Sequence, residues 1–422
     1  MSTSSTERSY RALFAVPSIR RILVTMQIAR IAQAMVGVAI VLFTLIEFRS
    51  PELAGLVTFT SIAPGLLVSP IAGALLDRHG RVRLVILDYF VAMGALVLIG
   101  ALALTDSLAP PLLVAITAVS SLTGIFSVTG LRSLFPLIVP KHLWERSSAL
   151  DSNGYVVATI LGPPVAAALV GIIGGPVTLI LIGLAYGVAA IAMIGIPDPR
   201  TEAVSSGRLL LDAWRGVQYA WGNRTIRGLG FSISVLNLFG GMQAIVIPLI
   251  VLEHLALPEW VVGLLFALSG VTGMASAFLF GRLDTRGREW SMLVVPMVLM
   301  APAGALLFVA AGPGASVTAA VAVLAVSLAV SGFLNGPMDI SLFTVRMRRT
   351  DPAWMGRAFA VSMAFNFSGY PIGAALAGPL AAASIELAIG LGVVACLVAA
   401  VLAARLIPRE EPGAAPPLTE SG

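Results

Sequence analysis

A chain of 422 residues with 58% hydrophobic and 11% charged residues cannot be a soluble globular domain, in which about a quarter of residues carry charge. Its natural unit is the membrane span of roughly 20 residues, of which about twelve fit. The net charge of +5 is read loop by loop rather than as a nucleic-acid signal; a single cysteine, Cys396, excludes an internal disulfide, and His79, His142 and His254 are too far apart in sequence to suggest a metal cluster.

Met1 to Arg21 is polar and basic and lacks the apolar core and small-residue cleavage site of a secretory signal, so residues 1-21 read as a cytoplasmic segment. Apolar runs bounded by charges, Pro or Gly then predict spans near 22-46, 53-76, 84-104, 110-136, 147-171 and 176-196, an N-terminal six-helix half over 22-196. Residues 197-225 form a linker that opens on Pro197-Asp-Pro199 and continues with Leu210, Trp214, Val217 and Trp221 on one helical face. That pattern suits an amphipathic helix at the membrane surface, with a polar soluble linker as the alternative. Spans near 226-252, 259-281, 290-311, 315-343, 357-381 and 385-406 give a C-terminal half over 226-406, and the Pro- and Glu-rich tail 407-422 reads as disordered and cytoplasmic. With the N-terminus inside, every basic residue except Arg49 and Arg30 falls on or near the cytoplasmic side, which predicts both termini inside the cell membrane.

The halves repeat. Gly73-Ala-Leu-Leu-Asp77-Arg78-His79-Gly80-Arg81-Val-Arg83 forms a charged elbow between two spans, and Asp284-Thr285-Arg286-Gly287-Arg288 repeats it 207 positions later. Upstream of the elbows run stripes of small residues, Ser61, Gly65, Ser69 and Gly73 in one half and Ser269, Gly273, Ala277 and Gly281 in the other. Residues four apart stack on one side of a helix and let another backbone approach. Gly162-Pro163-Pro164 answers Gly369-Tyr370-Pro371, again 207 apart, and Gly154, Ala158, Gly162 and Ala166 add a further stripe. Paired stripes predict helices that slide or rock against one another, with ordinary tight packing without motion as the alternative.

On these residues the chain resembles the major facilitator superfamily. The resemblance implies an all-α membrane fold of twelve helices in two six-helix halves related by a pseudo-two-fold axis. Gly73, Asp77, Arg78, Gly80, Arg81 and Arg83 match the superfamily's signature between helices two and three; the second copy keeps Asp284, Gly287 and Arg288 but has Thr285 in place of the first arginine. Gly162-Pro163 is similar to the core of the antiporter signature, with Ala158, Ala166 and Ala167 in place of flanking glycines. Arg132 to Pro136, Val139-Pro140 and Leu143 to Leu150 resemble the efflux branch that holds siderophore and macrolide exporters.

The resemblance implies that helices one, four, seven and ten line a central cavity. It would place there Arg30 and Gln33 of the first span, Thr117, Ser120 and Ser127 of the fourth, Asn237 of the seventh, and Ser331, Asn335 and Asp339 of the tenth. A charge within a span costs at least about 3 kcal/mol and so needs a partner or water. Either Asp339 carries a proton while Arg30 tunes it or receives an anionic group, or Arg30 and Asp339 simply neutralise each other. Asp88 and Asp151 read as local partners near the cytoplasmic surface, Asp151 with Arg132 or Arg146. Asp77 would accept hydrogen bonds from the free N–H groups that begin helix eleven, and Asp284 from those of helix five, together a cytoplasmic latch; Gly162, Pro163, Gly369 and Pro371 would hinge helices five and eleven.

The function expected is proton-coupled secondary transport by alternating access, with export of amphipathic small molecules preferred. Import of a small polar or anionic metabolite is the alternative, and a non-transporting sensor is a third. No Walker sequence, clustered metal ligands or Gly-x-Ser-x-Gly elbow is present, so enzyme activity, a cofactor and a nucleic-acid partner are not expected. The partners expected are a small-molecule substrate, protons and lipid, and the resemblance implies a monomer.

Overall fold

The computed structural model describes residues 9–198, 209–283, 285–351 and 355–409, and among them every regular element is a helix. A short α1 (Tyr10–Ala15), capped by the Ser9 hydroxyl on the Ala12 N–H at 3.1 Å, leads into the first span, α2 (Ile19–Phe48). The second span, expected as one helix, is two: α3 (Pro51–Thr60) and α4 (Ala63–His79). Pro64 has no N–H to return to the Thr60 carbonyl four residues back, so the ladder is interrupted at Ser61–Ile62. α5 (Arg81–Leu104), α6 (Pro110–Ile138), α7 (Trp144–Ile173) and α8 (Gly175–Met193) complete the first half.

α9 (Leu209–Gly222) joins the halves, with Trp214 and Trp221, seven residues apart on one face, both exposed; the side chain of Leu210 lies outside the described residues, as does the tail beyond 409. The second half follows: α10 (Arg224–Leu249), ending in a wide helical turn to His254, α11 (Trp260–Phe280), α12 (Glu289–Ala311), α13 (Val317–Arg348), α14 (Met355–Ala383) and α15 (Ile385–Leu406). Among the described residues eleven helices, with α3 and the start of α4 counted as one, are long and apolar enough to cross a membrane, and α14 packs beside them; the start of α2 and the end of α15 lie at one face, called here the terminal face.

The described glycines of the small-residue stripes pack within the halves, as ordinary tight packing has it. A Cβ on Gly65 would overlap the Ser121 carbonyl of α6, and one on Gly273 would lie 3.2 Å from the Gly332 carbonyl of α13, the repeat-related pair. Gly162 is pressed on Ala34 of α2, and Gly369 and Gly373 on the Ser234 and Leu238 carbonyls of α10. Lipid gives helices no hydrophobic reason to associate, so each half is held by these close backbone approaches.

A different set of glycines meets across the halves, all toward the face opposite the termini. Gly55 of α3 abuts Ala374 of α14, a Cβ on Gly378 of α14 would lie 2.5 Å from the Pro51 carbonyl, and one on Gly263 of α11 would lie 2.6 Å from Cα of Pro164 in α7. This seam makes a testable division. Gly55→Val is expected to part the seam, so that a cysteine introduced at Val38 in a Cys396→Ala background reacts faster with an impermeant thiol reagent added at that face. Gly65→Val is expected to lower stability by about 1–3 kcal/mol, as overpacking does, without changing that reactivity.

Candidate functional site

Between the halves lies a cavity of about 620 Å³. Its walls come from α2 and α7 of the first half and α10, α11, α13 and α14 of the second, and they are mostly aliphatic side chains and glycines. Polar groups are few: Tyr155, Thr159, Gln243, Ser269, Asn335, Asp339 and Tyr370. Asp339 is the one charged group among these lining residues, and it is exposed to the cavity. Gly332 and Gly336 of α13 fit closely against Ser269 and Ser276 of α11, which fixes the rotation of α13 and turns Asn335 and Asp339, one helical turn apart, to the open side. Ser331, one turn further on the same row, is only 4% exposed and its hydroxyl has no partner.

Arg30 does not face Asp339. It is 7% exposed, its terminal nitrogens form an ion pair with the Asp151 carboxylate and donate to the Asp151 carbonyl at 2.7 Å, and its guanidinium stacks 3.9 Å from the Tyr155 ring. Arg132 approaches the same aspartate at 3.6 Å and covers the Tyr155 ring at 4.7 Å. Both readings that joined Arg30 to Asp339, mutual neutralisation and tuning, are therefore corrected: the counter-charge of Arg30 is Asp151. The cause is the approach of α7 to α2, where Gln27 Nε2 donates to the Gly154 carbonyl at 3.2 Å. Asp151 precedes Gly154, Ala158 and Gly162 on the face that presses on α2, so the small-residue stripe carried this signal.

Gln33, Thr117, Ser120 and Ser127 line a second pocket of about 260 Å³, between α2, α3, α5, α6 and α8 of the first half and bounded by Tyr370 of α14. Asp88, assigned from sequence to the surface, is 4% exposed, accepts a hydrogen bond from the Thr123 hydroxyl at 2.9 Å and lines this pocket. Asn237 holds α10 to α14 by donating to the Asn366 carbonyl at 2.8 Å and is absent from the cavity wall.

At the terminal face the start of α5, into which the elbow leads, is capped. The residue that occupies the free N–H groups of a following helix is Asp198 at the end of the first half: it accepts from the Val82 N–H at 3.0 Å, at the start of α5. Gly80 (φ +95°) makes room for that carboxylate, and Arg81 donates to the Ser133 hydroxyl of α6 at 3.0 Å. Arg78 is exposed, while Asp284 and the side chain of Asp77 lie outside the described residues. In the second elbow Gly287 turns the chain at φ +74° and the Arg288 N–H donates to the Thr285 carbonyl at 2.9 Å. α7 and α14 run unbroken through Pro163 and Pro371, and Pro163 lines the main cavity.

The family model for the Major Facilitator Superfamily matches residues 22–241 and 229–422. An uncharacterized MFS-type transporter of Sinorhizobium fredii, y4rN, is 33% identical over 406 residues, covering 96% of this chain and 98% of its own. Among solved structures, a bacterial homologue of the iron transporter ferroportin in its inward-facing state superposes with a TM-score of 0.71 at 18% identity, covering 92% of this chain and 98% of that one. The nucleoside transporter NupG superposes at 0.68 with 11% identity, over 91% and 96%. Two six-helix halves around a central cavity, a family match along nearly the whole length and a relative of the same extent agree: this chain is a multi-pass membrane protein of the major facilitator superfamily.

Proposed function

We propose that the protein is a proton-linked exporter of amphipathic small molecules, cationic ones foremost, working by alternating access from a cell membrane with both termini in the cytoplasm. The observation that carries this reading is Asp339, the one charged group among the described residues of a mostly apolar and glycine-rich cavity wall. Such a wall suits an apolar body with one positive group, and a carboxylate that releases its proton as the cation arrives links the two movements. Arginines 78, 81, 286, 288, 348 and 349 at the terminal face support the orientation, since basic residues are retained on the cytoplasmic side. Export rather than import rests on the resemblance of residues 132–150 to the efflux branch. An anionic substrate is disfavoured because Arg30 is already committed to Asp151.

The test is accumulation of a lipophilic cationic dye in cells with and without the protein. Lower accumulation with the protein, abolished by a proton uncoupler, is the expected result. Equal, uncoupler-insensitive accumulation in both overturns export of this substrate class.

A further inference from the structure

Asp88 has no part in the mechanism above. It is 4% exposed and lies seven residues into α5, about two helical turns from the terminal face and enclosed among helices. One oxygen accepts from Thr123, and the carboxylate lines the pocket of about 260 Å³ that the first half forms with Tyr370 of α14. That pocket runs along α5 from Asp88 to Ile99, about 16 Å at 1.5 Å per residue. Its walls carry the hydroxyls of Thr58, Thr117, Ser120, Ser121, Ser127 and Tyr186, and no basic side chain is among the residues that line it. Gly37 and Tyr370 line both this pocket and the main cavity, so the two spaces adjoin.

The groups that face Asp88 do not supply a counter-ion. Tyr89 of its own helix and Tyr186 of α8 are phenols, and α6 offers hydroxyls and the Ser127 backbone but no charge. Arg30 of α2 lines the small space beyond the two tyrosines, but its guanidinium is held by Asp151 and Tyr155. A lone carboxylate in such a place is expensive as an anion and needs either water or a proton. Hydroxyls that both donate and accept, spaced along a roomy pocket, are what a chain of waters requires.

We propose that Asp88 is a second proton-carrying carboxylate, reached by water through the hydroxyl-lined pocket of the first half and separate from the carboxylate that meets the substrate. A hydronium in the pocket gives its proton to a carboxylate oxygen of Asp88, forming an O–H bond and leaving water; release to water is the reverse, with no oxidant or reductant involved. This rests on the proton-linked reading above. It makes the coupling of this transporter a matter of two acids, Asp88 in the first half and Asp339 in the second, so that a proton taken up in one half need not compete with substrate.

Two measurements test it on the purified full chain in lipid. The first is pH-difference infrared spectroscopy of the protonated carboxyl stretch; the second is uphill transport of a lipophilic cationic dye into or out of proteoliposomes under an imposed pH gradient. Asp88→Asn, which keeps an oxygen for Thr123, is expected to lose one titrating carboxyl component that Asp339→Asn retains, and to lose at least tenfold of gradient-driven transport. Dye exchange without a gradient should persist in Asp88→Asn, showing a folded protein, and Asp88→Glu should restore both the component and the driven transport. An Asp88→Asn spectrum with every wild-type component, or driven transport equal to a gradient-dependent wild type, overturns this proposal alone. A wild type indifferent to the gradient overturns the proton-linked reading and this proposal with it.

Discussion

Asp339→Asn is expected to reduce gradient-driven export of a cationic dye by at least about tenfold while leaving the protein folded. The side chain is exposed to the cavity rather than packed, and asparagine is its isostere, so stability should move by no more than about 0.5 kcal/mol. What is lost is a contact between a carboxylate and a substrate cation, together with the proton that the carboxylate would exchange for it. Interactions with a charged partner in such surroundings are worth about 1.5–3 kcal/mol, and each 1.4 kcal/mol is about a factor of ten. Asp339→Glu keeps the charge and should retain most of the transport. Proteoliposomes with an imposed pH gradient give the answer, and undiminished driven transport in Asp339→Asn would remove this residue from coupling.

The second large effect is on stability, at the other charged centre. Asp151→Ala leaves Arg30, 7% exposed between α2 and α7, with a buried guanidinium and no carboxylate. Removing one partner of a buried pair costs about 3–5 kcal/mol, because the remaining charge stays desolvated. Arg132 is half exposed and can turn to water, so it adds little to the loss. The double variant Arg30→Met, Asp151→Leu removes both charges and should recover most of the stability. Reversible unfolding of the purified variants in mixed micelles would show the difference. A single variant as stable as the wild type would mean that Arg30 finds water or another partner, and that the pair does not hold α2 to α7.

Much of the architecture was legible in the order of residues. Apolar runs of span length, separated by charged elbows that recur 207 positions apart, carry the twelve-span duplicated fold almost by themselves. That legibility has a physical source: in lipid each span must satisfy its own backbone, so local composition decides the element without help from distant contacts. Proline showed where this is incomplete. Pro64 broke the second span, whereas Pro163 and Pro371 sit in helices that continue, because the residues packed around each decide whether a lost hydrogen bond ends the helix.

The sites were read less well, for reasons that particular residues make plain. Asn335 and Asp339 were correctly taken as neighbours one turn apart, but whether they meet Arg30 depends on which helix each face turns toward. Asp151 lay on the stripe of α7 in plain view, and pairing it with Arg30 required knowing that the stripe faces α2. Asp88 seemed a surface acid from its seven-residue distance to the elbow; the inward rotation of α5 buried it against α6. Asp198 could not have been matched to Val82 across more than a hundred residues.

The sequence alone therefore determined the membrane, the number of spans, the duplication and the family, since hydropathy and repeat spacing act along the chain. Tertiary structure alone decided which small-residue faces lock each half together and which glycines meet across the seam. It also decided how the charges sort, with Arg30 joined to Asp151, Asp88 enclosed in the first half and Asp339 left open to the cavity. A buried charge is satisfied by whichever group the rotation of its helix brings within about 3–4 Å, and that rotation is set by packing against neighbours far away in sequence.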